Sequence, residues 1–263
     1  MAAMATVNGV PASLDALQTL ALMNYGHFTT MLVTDGAVRG LSLHLERLVR
    51  DCQAVFGARL DPERVRGYLR REVGVRPGTL TARVTVFDPA LELLRPGADA
   101  DPVVLITTRA AAGSTPPPLT AKSFTFSRDH AAVKHVGLYS QVRLRREAQL
   151  AGFDDALLVE RDGRIAEGST WNIGFVDGRG QVRWPQADVL PGITMRLLKE
   201  ASGGDVTVPV PIGELPSMRA AFATNTSIGV RTVSAVDAVG FPGDEAVLDE
   251  LRARYAAVPY DIL

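Results

Sequence analysis

The sequence predicts a mixed α/β (α+β) protein of two domains, and three observations support this prediction. Short runs rich in β-branched residues alternate with turn pairs such as Asp35-Gly36 and Asp162-Gly163, as in strands joined by hairpins. Between these runs, stretches with apolar residues at helical spacing predict helices. Three consecutive prolines, 116–118, can continue neither a helix nor a strand ladder, so they separate two halves. A chain of 263 residues has room for two domains of ordinary size.

The first domain is predicted to cover residues 1–110 and contains a hairpin that leads into a helix. "HFTTMLVT" and the short strand after Asp35-Gly36 form the hairpin, and the helix begins near Ser42. A second helix has Pro62 in its first turn and Gly74 after its last turn, where each residue is favoured. "LTARVTVFD" then predicts a half-buried strand and "PVVLITTR" a more fully buried one.

A linker is predicted at 111–122 and a second domain at 123–263. The second domain begins with a strand, "SFTFS", and a helix through "SQVRLRREAQLAG". "DALLVERDGRIAEGSTWNIGFVDGRGQVRWP" predicts three to four short strands separated by glycine turns. A loop then enters a helix at "LPGITMRLLKEAS", a strand, tight turn and strand follow in "AAFATNTSIGVRTVSAVD", and "DEAVLDELRARYAAV" predicts a final amphipathic helix.

Composition excludes several classes of partner. The formal net charge of -1 provides no field that would gather phosphate backbones or anionic lipids, so we expect neither nucleic acid nor a membrane as partner. No segment approaches the roughly 18 apolar residues that cross a bilayer. The single cysteine, Cys52, lies near the apolar face of a predicted helix and is compatible with a reducing compartment, so we expect a cytoplasmic protein. His130 and His135 lack a third ligand nearby, and no metal site is predicted.

The cationic residues are arginines in all but three positions, Lys122, Lys134 and Lys199. Lys199 lies in the last turn of a predicted helix, where a cation complements the dipole, and Lys122 is expected to face solvent. Lys134 instead has small and apolar neighbours, which are Ala131, Ala132, Val133, Val136 and Gly137. Desolvation can lower a lysine pKa by up to about 3 to 5 units and so give a neutral amine that attacks carbonyls. The alternative is a lysine with a buried stem whose head reaches water.

Four segments together resemble the class IV aminotransferases, a family that includes branched-chain aminotransferase, D-amino acid aminotransferase and 4-amino-4-deoxychorismate lyase. They are "VKHVGLYSQVRLRREAQLAGFDDALLVERDGRIAEGSTWNIGFV", "LPGITMRLL", "HLERL" and "FATNTSIGVRTVSAVD". The resemblance runs from "VNGVPAS" to "SAVD", which is nearly the whole chain. It implies a two-domain fold-type IV enzyme that depends on pyridoxal 5'-phosphate, with a mainly antiparallel or mixed sheet or barrel and helices in each domain. It also implies a cofactor at the domain junction and a homodimer.

The resemblance further implies roles for individual residues. Lys134 matches the lysine that holds the cofactor as a Schiff base and moves protons. Glu167 matches the carboxylate that keeps the pyridine nitrogen protonated, so that the ring accepts electrons. A solvated turn glutamate is disfavoured at this position because the hairpin turn already ends at Asp162-Gly163. Tyr139 matches a tyrosine that branched-chain enzymes direct at the phenolate oxygen of the cofactor.

A phosphate site is implied by a second set of matches. Arg47 matches the phosphate-binding arginine, whose fork of donors suits a phosphate, although position alone indicates an exposed helix residue. Gly192, Ile193 and Thr194 match a helix N-terminus that binds anions, and Thr226 closes the phosphate cup. Residues in matching segments that are candidates for substrate binding, each equally plausible as a hydrogen-bonded loop residue, are Asn24, Tyr25, Thr29, Thr170, Asn225 and Arg231.

Two reactions compete within this family. Thr29 and Thr30 match paired threonines of the lyases, and the compact length also suits a lyase. Against a lyase, "KHVGLYSQ" contains Tyr139 and departs from the "KHLN" pattern, and "LPGIT" is the form common in transaminases. The balance favours transfer of an amino group between an amino acid or amine and a 2-oxo acid. The alternatives are 4-amino-4-deoxychorismate lyase, which forms 4-aminobenzoate and pyruvate, and a protein that binds the cofactor without catalysis.

Overall fold

The structure is a computed structural model, and it describes residues 4–74, 77–111 and 116–263. The strands in these ranges are β1 (Met4–Val7), β2 (Val10–Pro11), β3 (His27–Thr34), β4 (Ala37–Arg39), β5 (Thr79–Phe87), β6 (Val103–Ala110), β7 (Leu119–Thr125), β8 (Asp155–Val159), β9 (Ile165–Gly168), β10 (Asn172–Val176), β11 (Val182–Pro185), β12 (Val206–Val208), β13 (Ala220–Asn225), β14 (Gly229–Val236), β15 (Val239–Gly240) and β16 (Tyr260–Ile262). The α-helices are α1 (Leu14–Met23), α2 (Leu41–Phe56), α3 (Pro62–Val73), α4 (Tyr139–Leu150), α5 (Ile193–Glu200) and α6 (Glu245–Ala256), and a 3-10 helix covers Ile212–Ser217.

These elements form two compact units, and the predicted mixed α/β class is confirmed. Within the described residues, the first unit contains the chain up to residue 111 together with Val133–Gly137 and Pro259–Leu263. The second unit contains residues 116–132 and Leu138–Val258. Of the linker predicted at 111–122, residues 112–115 lie outside the described ranges, and Leu119–Lys122 belong to β7.

The first unit contains an antiparallel sheet with the strand order β16-β4-β3-β5-β6-β1-β2. Alternate side chains of a strand point to the same face, and Met31 and Val33 on one face of β3 are fully buried. Leu48 and Cys52 of α2 lie in the same apolar cluster, and burial raises the pKa of Cys52 to about 11. The predicted hairpin and the helix that follows it are therefore confirmed.

The helix ends follow from local sequence. In α3, the Asp61 side chain accepts a hydrogen bond from the Glu63 amide, Pro62 occupies the first turn, and Gly74 follows the last turn as predicted. In α6, the Asp244 side chain accepts a hydrogen bond from the Val247 amide.

None of the helices in the described part of the chain is both long enough and apolar enough to cross a membrane.

The second unit contains a mixed sheet with the strand order β12-β11-β10-β13-β14-β7-β8-β9, and β15 pairs with β14. The pairs β14 with β7, β7 with β8 and β11 with β12 are parallel. In the core, the Phe222 ring packs directly against the backbone of Gly174. An added Cβ at Gly174 would lie 2.3 Å from this ring, so only glycine fits there. Since β8, β9 and β10 are buried along their whole length, they hold the residues at their ends in fixed positions.

Candidate active site

Lys134 lies in a short segment that the first unit holds by its backbone. The Lys134 carbonyl accepts a hydrogen bond from the Phe28 amide at 2.9 Å, and the Val136 amide donates to the Gly26 carbonyl at 2.9 Å. The Lys134 amide donates to Asp51 Oδ2 at 3.0 Å. The side chain is half-buried, and Nζ lies 4.9 Å from the centroid of the Phe28 ring. Lys134 is therefore a half-buried amine on a fixed stretch of backbone.

Arg47 is a buried residue of α2, with 4% of its surface exposed, so the interpretation as an exposed helix residue was wrong. Its Nη2 donates to Thr29 Oγ1, a buried hydroxyl on the neighbouring strand β3. Thr29 Oγ1 also lies 2.7 Å from His44 Nδ1, one turn before Arg47. The guanidinium is thereby held in one orientation by the strand and the helix together.

The hydrogen bonds around Thr29 define the state of His44. The hydroxyl accepts from the arginine, so its own proton is available to His44 Nδ1, and Arg47 Nη2 also lies 3.4 Å from that nitrogen. Burial first, and then the charges of Arg47 and Lys134, hold the pKa of His44 well below its usual value. We therefore assign a neutral ring that accepts at Nδ1 and carries its proton on Nε2.

A second cation lies beside Phe28. The guanidinium carbon of Arg83, on β5, is 3.6 Å from the centroid of the Phe28 ring, so Lys134 and Arg83 both lie against this ring. Burial, followed by the charge of Arg109, lowers the pKa of Arg83 from its ordinary value. The Phe28 ring therefore has two cationic side chains within cation–π distance.

Glu167 lies on β9 and is buried, with 4% of its surface exposed, as expected for a residue that is not in the hairpin turn. Arg128 Nη1 donates to its Oε1 at 2.8 Å, and both side chains are nearly inaccessible. The Leu190 amide donates to Oε2 at 3.2 Å, and Asn172 Nδ2 lies 3.4 Å from the same oxygen. Donors on both oxygens fit an ionised carboxylate, which accepts hydrogen bonds and donates none.

Asn172 connects Glu167 to the turn before α5. Its Nδ2 donates to the Leu190 carbonyl at 2.8 Å, and a Cβ added at Gly192 would lie 1.9 Å from its Oδ1. Gly192 is the N-cap of α5 and supplies no side-chain cap, so the first amides of the helix have no side-chain acceptor there. The buried Thr194 hydroxyl has no hydrogen-bond partner within the described residues. These features are compatible with the anion site predicted at the helix N-terminus.

Thr226 lies in the tight turn between β13 and β14, in the same unit as α5. The turn is held by Asn225, whose Oδ1 accepts from the amides of Ser227 at 2.9 Å and Ile228 at 3.0 Å. The buried hydroxyl of Thr224, at the end of β13, has no hydrogen-bond partner within the described ranges. Asn225 therefore has a structural function, and Thr226 remains half-buried at the tip.

The loop after Glu167 is fixed by Arg145 of α4 and Asp155 of β8. Arg145 Nη2 donates to Ser169 Oγ at 2.8 Å and Thr170 Oγ1 at 2.5 Å, and it lies 2.8 Å from Asp155 Oδ2. Trp171 Nε1 donates to the same carboxylate oxygen at 3.0 Å. Since Trp171 also covers Gly168, where an added Cβ would lie 1.9 Å from its ring, the loop has one packing arrangement.

The remaining predicted residues lie in varied surroundings. Tyr139 is the first residue of α4, and 76% of its surface is exposed. The Tyr25 hydroxyl donates to the Val55 carbonyl at 3.0 Å while part of its ring is exposed. Asn24 caps the C-terminus of α1, and Arg231 Nε donates to the Pro117 carbonyl at 2.6 Å. The cofactor contact of Tyr139 and the substrate-binding roles of Asn24, Tyr25 and Arg231 stay predictions.

Sequence reasoning missed several residues that support this site. They are His44, Asp51, Arg83, Arg128, Arg145, Asp155 and Asn172. Asp51 and Arg83 carry a detectable signal, because each places a charge at a position that helical or strand spacing predicts to be at least partly buried. Arg128 and Asn172 carry no such signal, since their partners are distant in sequence or lie in irregular segments.

Comparison with known proteins identifies the family. The family model described as amino-transferase class IV matches residues 26–236, and the chain belongs to this family. The probable branched-chain-amino-acid aminotransferase of Rickettsia felis (strain ATCC VR-1525 / URRWXCal2) is 31% identical over 124 residues, which is 43% of this chain and 42% of the relative. The chloroplastic D-amino-acid transaminase of Arabidopsis thaliana is 30% identical over 186 residues, which is 65% of this chain and 48% of the relative.

Each of these matches spans less than half the length of the curated relative. Similarity to a solved structure extends further. A hypothetical aminotransferase from Mycobacterium tuberculosis, in a PLP-bound form, superposes with a TM-score of 0.80 at 18% identity and covers 97% of this chain and 99% of that chain. This likeness shows that the fold is that of the fold-type IV enzymes, as the sequence predicted.

Proposed function

We propose that the protein is a pyridoxal 5'-phosphate-dependent aminotransferase that transfers an amino group between an amino acid or amine and a 2-oxo acid. The observation that carries this proposal is Lys134, a half-buried amine whose own amide and carbonyl are both hydrogen-bonded. Family membership supports the same reaction class.

The residues present fit pyridoxal 5'-phosphate. A phosphate requires cationic and N–H donors. The buried Arg47 guanidinium is such a donor in the first unit. In the second unit, the N-terminus of α5 and the Thr194 hydroxyl, which has no partner within the described residues, are also suited to a phosphate. A pyridine nitrogen requires a buried anion, which Glu167 supplies. An aldehyde requires an amine, which Lys134 supplies. The solved relative from Mycobacterium tuberculosis is described as PLP-bound.

Each residue then has a distinct function in the proposed mechanism. Lys134 would hold the cofactor through its amine, and its Nζ would take up and return the substrate α-proton. Glu167 would pair with the pyridine nitrogen and keep it protonated. Arg47 in the first unit, and Gly192, Ile193, Thr194 and Thr226 in the second, are the residues proposed for the phosphate. The cofactor, when bound, supplies an electron sink for the substrate α-carbon.

The substrate carboxylate requires a cationic partner. Arg83 lies on the Phe28 ring together with Lys134, so it supports binding of a carboxylate near the reactive amine. Tyr25, Thr170 and Asn225 stay candidates, whereas Thr29 is proposed as the support of Arg47, since its hydroxyl is used there. Tyr139 is proposed to contact the phenolate oxygen of the cofactor.

Covalent mapping tests the proposal. The protein is incubated with pyridoxal 5'-phosphate, reduced with borohydride and digested, and the tagged peptide is identified by mass spectrometry. We expect the tag at Lys134, and the variant Lys134→Ala should take up no tag and lose turnover. Lys122 and Lys199 provide references within the same molecule, and a tag at either one in place of Lys134 contradicts the assignment.

Product analysis distinguishes the reaction. Incubation with D- and L-amino acids plus a 2-oxo acid should give keto acid exchange. Release of 4-aminobenzoate and pyruvate from 4-amino-4-deoxychorismate would instead support the lyase, and tagging without any turnover would support a binding protein. The names of the relatives reported above support transamination. A homodimer and a cytoplasmic location remain part of the proposal.

A further inference from the structure

One face of α2 carries three buried polar residues. His44, Arg47 and Asp51 are spaced three and four apart, which places them side by side on the helix. Ionised side chains are seldom fully buried unless they are paired, so each needs a partner. The Thr29 hydroxyl is the hydrogen-bond partner of both His44 and Arg47. Asp51 has a different partner, and neither phosphate binding nor the apolar core accounts for it.

The two oxygens of Asp51 have separate functions. Oδ1 accepts from Arg50 Nη2 at 2.7 Å and Nε at 3.0 Å, and the Arg50 side chain is 42% exposed while that of Asp51 is completely buried. Arg50 thus neutralises the carboxylate from the solvent side. Oδ2 accepts the Lys134 amide at 3.0 Å, and Lys134 lies 83 residues further along the chain. A charged acceptor makes this hydrogen bond stronger than one between neutral groups.

We propose that Asp51 is a positioning residue for Lys134, a role that rests on the function proposed above. Hydrogen bonds tie the lysine segment to Phe28 of β3 and to Gly26 just before that strand. The Asp51 bond adds a tie to α2, the helix that also carries Arg47. The proposed reactive amine and the proposed phosphate-binding arginine are therefore both anchored to β3 and α2, and Asp51 supplies the direct link from the lysine segment to the helix.

Hydrogen exchange tests the contact without any cofactor. Asp51→Leu retains the approximate volume and removes the acceptor, whereas Asp51→Asn retains an acceptor for the Lys134 amide. Exchange at the Lys134 amide should be roughly tenfold faster in D51L, in line with the loss of one hydrogen bond, and close to that of the unsubstituted protein in D51N. Cys52→Ala is the matched control, because it shortens an equally buried side chain at the next position of α2 and leaves the Asp51 acceptor in place.

Cofactor capture tests the positioning function. The amount of pyridoxal 5'-phosphate that borohydride fixes at Lys134 is measured against cofactor concentration, with Lys122 and Lys199 as references. Half-saturation should need roughly tenfold more cofactor in D51L, as expected for one lost hydrogen bond, and about the same amount in D51N and C52A. A general loosening of α2 would affect C52A as well, and it would not be reversed by asparagine.

The outcomes separate the two proposals. Faster exchange and weaker capture in D51L, with recovery in D51N, support the inference. Normal capture in D51L, or equal defects in D51L, D51N and C52A, overturns it while the proposed function stands. If the unsubstituted protein captures no cofactor at Lys134, the function itself fails and the inference fails with it. Should D51L not fold, Asp51→Ala is measured in its place against the same two controls.

Discussion

At the scale of single residues, Lys134 and Arg47 differ because their chemistry differs. An amine can lose its proton and attack a carbonyl, whereas a guanidinium stays charged and presents a rigid fork of donors to oxygen anions. The structure treats them accordingly. Lys134 is half-buried with a fixed backbone, and Arg47 is buried with a fixed guanidinium. In a chain that uses arginine at nearly every cationic position, the proposed function accounts for a lysine at 134.

Removing the Thr29 hydroxyl should release Arg47. Thr29→Val leaves a buried guanidinium N–H and His44 Nδ1 without their partner, so the free energy of unfolding should fall by about 1 to 3 kcal/mol. Affinity for pyridoxal 5'-phosphate should fall with it. Urea unfolding and cofactor titration measure the two effects. Thr30→Val, next to it on the opposite face of β3, is the control, and equal losses in both variants would contradict the role of Thr29.

Neutralising Glu167 should slow turnover more than it reduces cofactor binding. Glu167→Gln keeps the shape and removes a preorganised charge, so kcat should fall by roughly 10²-fold to 10³-fold. The change also leaves the Arg128 guanidinium opposite a neutral amide, and the free energy of unfolding should fall by about 3 kcal/mol. Glu160→Gln, which alters another ion-paired carboxylate of the same unit, should keep its kcat. A normal kcat in E167Q would refute the assigned role.

His27 should make stability depend on pH. Burial is the main cause that lowers its pKa from 6.5 to about 4, although the charge of Asp51 acts in the opposite direction. Between these values the unfolded chain binds a proton that the folded chain does not. The contribution of neutral His27 to the free energy of unfolding is therefore fully present above pH 6.5 and is lost as the pH falls towards 4. The loss approaches about 3 kcal/mol below pH 4.

Urea unfolding between pH 7 and pH 4.5 measures this dependence. His27→Leu should flatten the curve, because leucine has no group that titrates. The substitution breaks no side-chain hydrogen bond of His27 within the described residues, since both ring nitrogens lack a partner there. His44, whose pKa is also lowered by burial, contributes in the same direction and leaves a residual slope. A curve of unchanged steepness in H27L would contradict the assignment to His27.

At the scale of elements, the site depends on where helices begin and strands end. No side chain caps the N-terminus of α5, because Gly192 is its N-cap and Asn172 fills the space that a side chain at 192 would occupy. Asn172 also reaches Glu167 and the Leu190 carbonyl, so one amide side chain orders the turn and the carboxylate. In the first unit, α2 carries Arg47 and accepts the Lys134 amide through Asp51.

Gly192→Ala should disrupt this turn. Its Cβ would lie 1.9 Å from Asn172 Oδ1, which forces the asparagine away from Glu167. Overpacking of this kind lowers the free energy of unfolding by about 1 to 3 kcal/mol. Cofactor affinity should fall as well. Gly213→Ala, where a Cβ meets no atom within 4 Å, is the control in the same unit. If the two variants behave alike in thermal unfolding and cofactor titration, the packing explanation is wrong.

At the scale of the whole molecule, the chain forms two units whose segments interleave in sequence, since Val133–Gly137 belongs to the first unit and Leu138 begins the next part of the second. We predict a homodimer in solution, as the family resemblance implies. Sedimentation equilibrium should give twice the 28.1 kDa of one chain across the concentrations used for assays. An active species with the mass of one chain would contradict this prediction.

The sequence by itself determined the mixed α/β class, the hairpin that leads into α2 and the limits of α3, and it singled out Lys134 as the candidate amine. These features depend on local periodicity, on turn pairs and on proline and glycine, which are legible along the chain. The roles proposed for Glu167, Arg47 and Thr194 came from motifs that resemble those of the family, which can also be read from the sequence.

Tertiary structure alone decided how those residues are supported. Asp51 contacts Lys134 across 83 positions, Arg128 contacts Glu167 across 39, and Thr29 contacts Arg47 across 18. A hydrogen bond between distant positions leaves no periodic pattern in either segment, because each partner satisfies only a local requirement for a polar residue. The burial of Arg47 was also decided by tertiary structure. Its position on the helix predicted an exposed side chain, but the packing of β3 against α2 buries it.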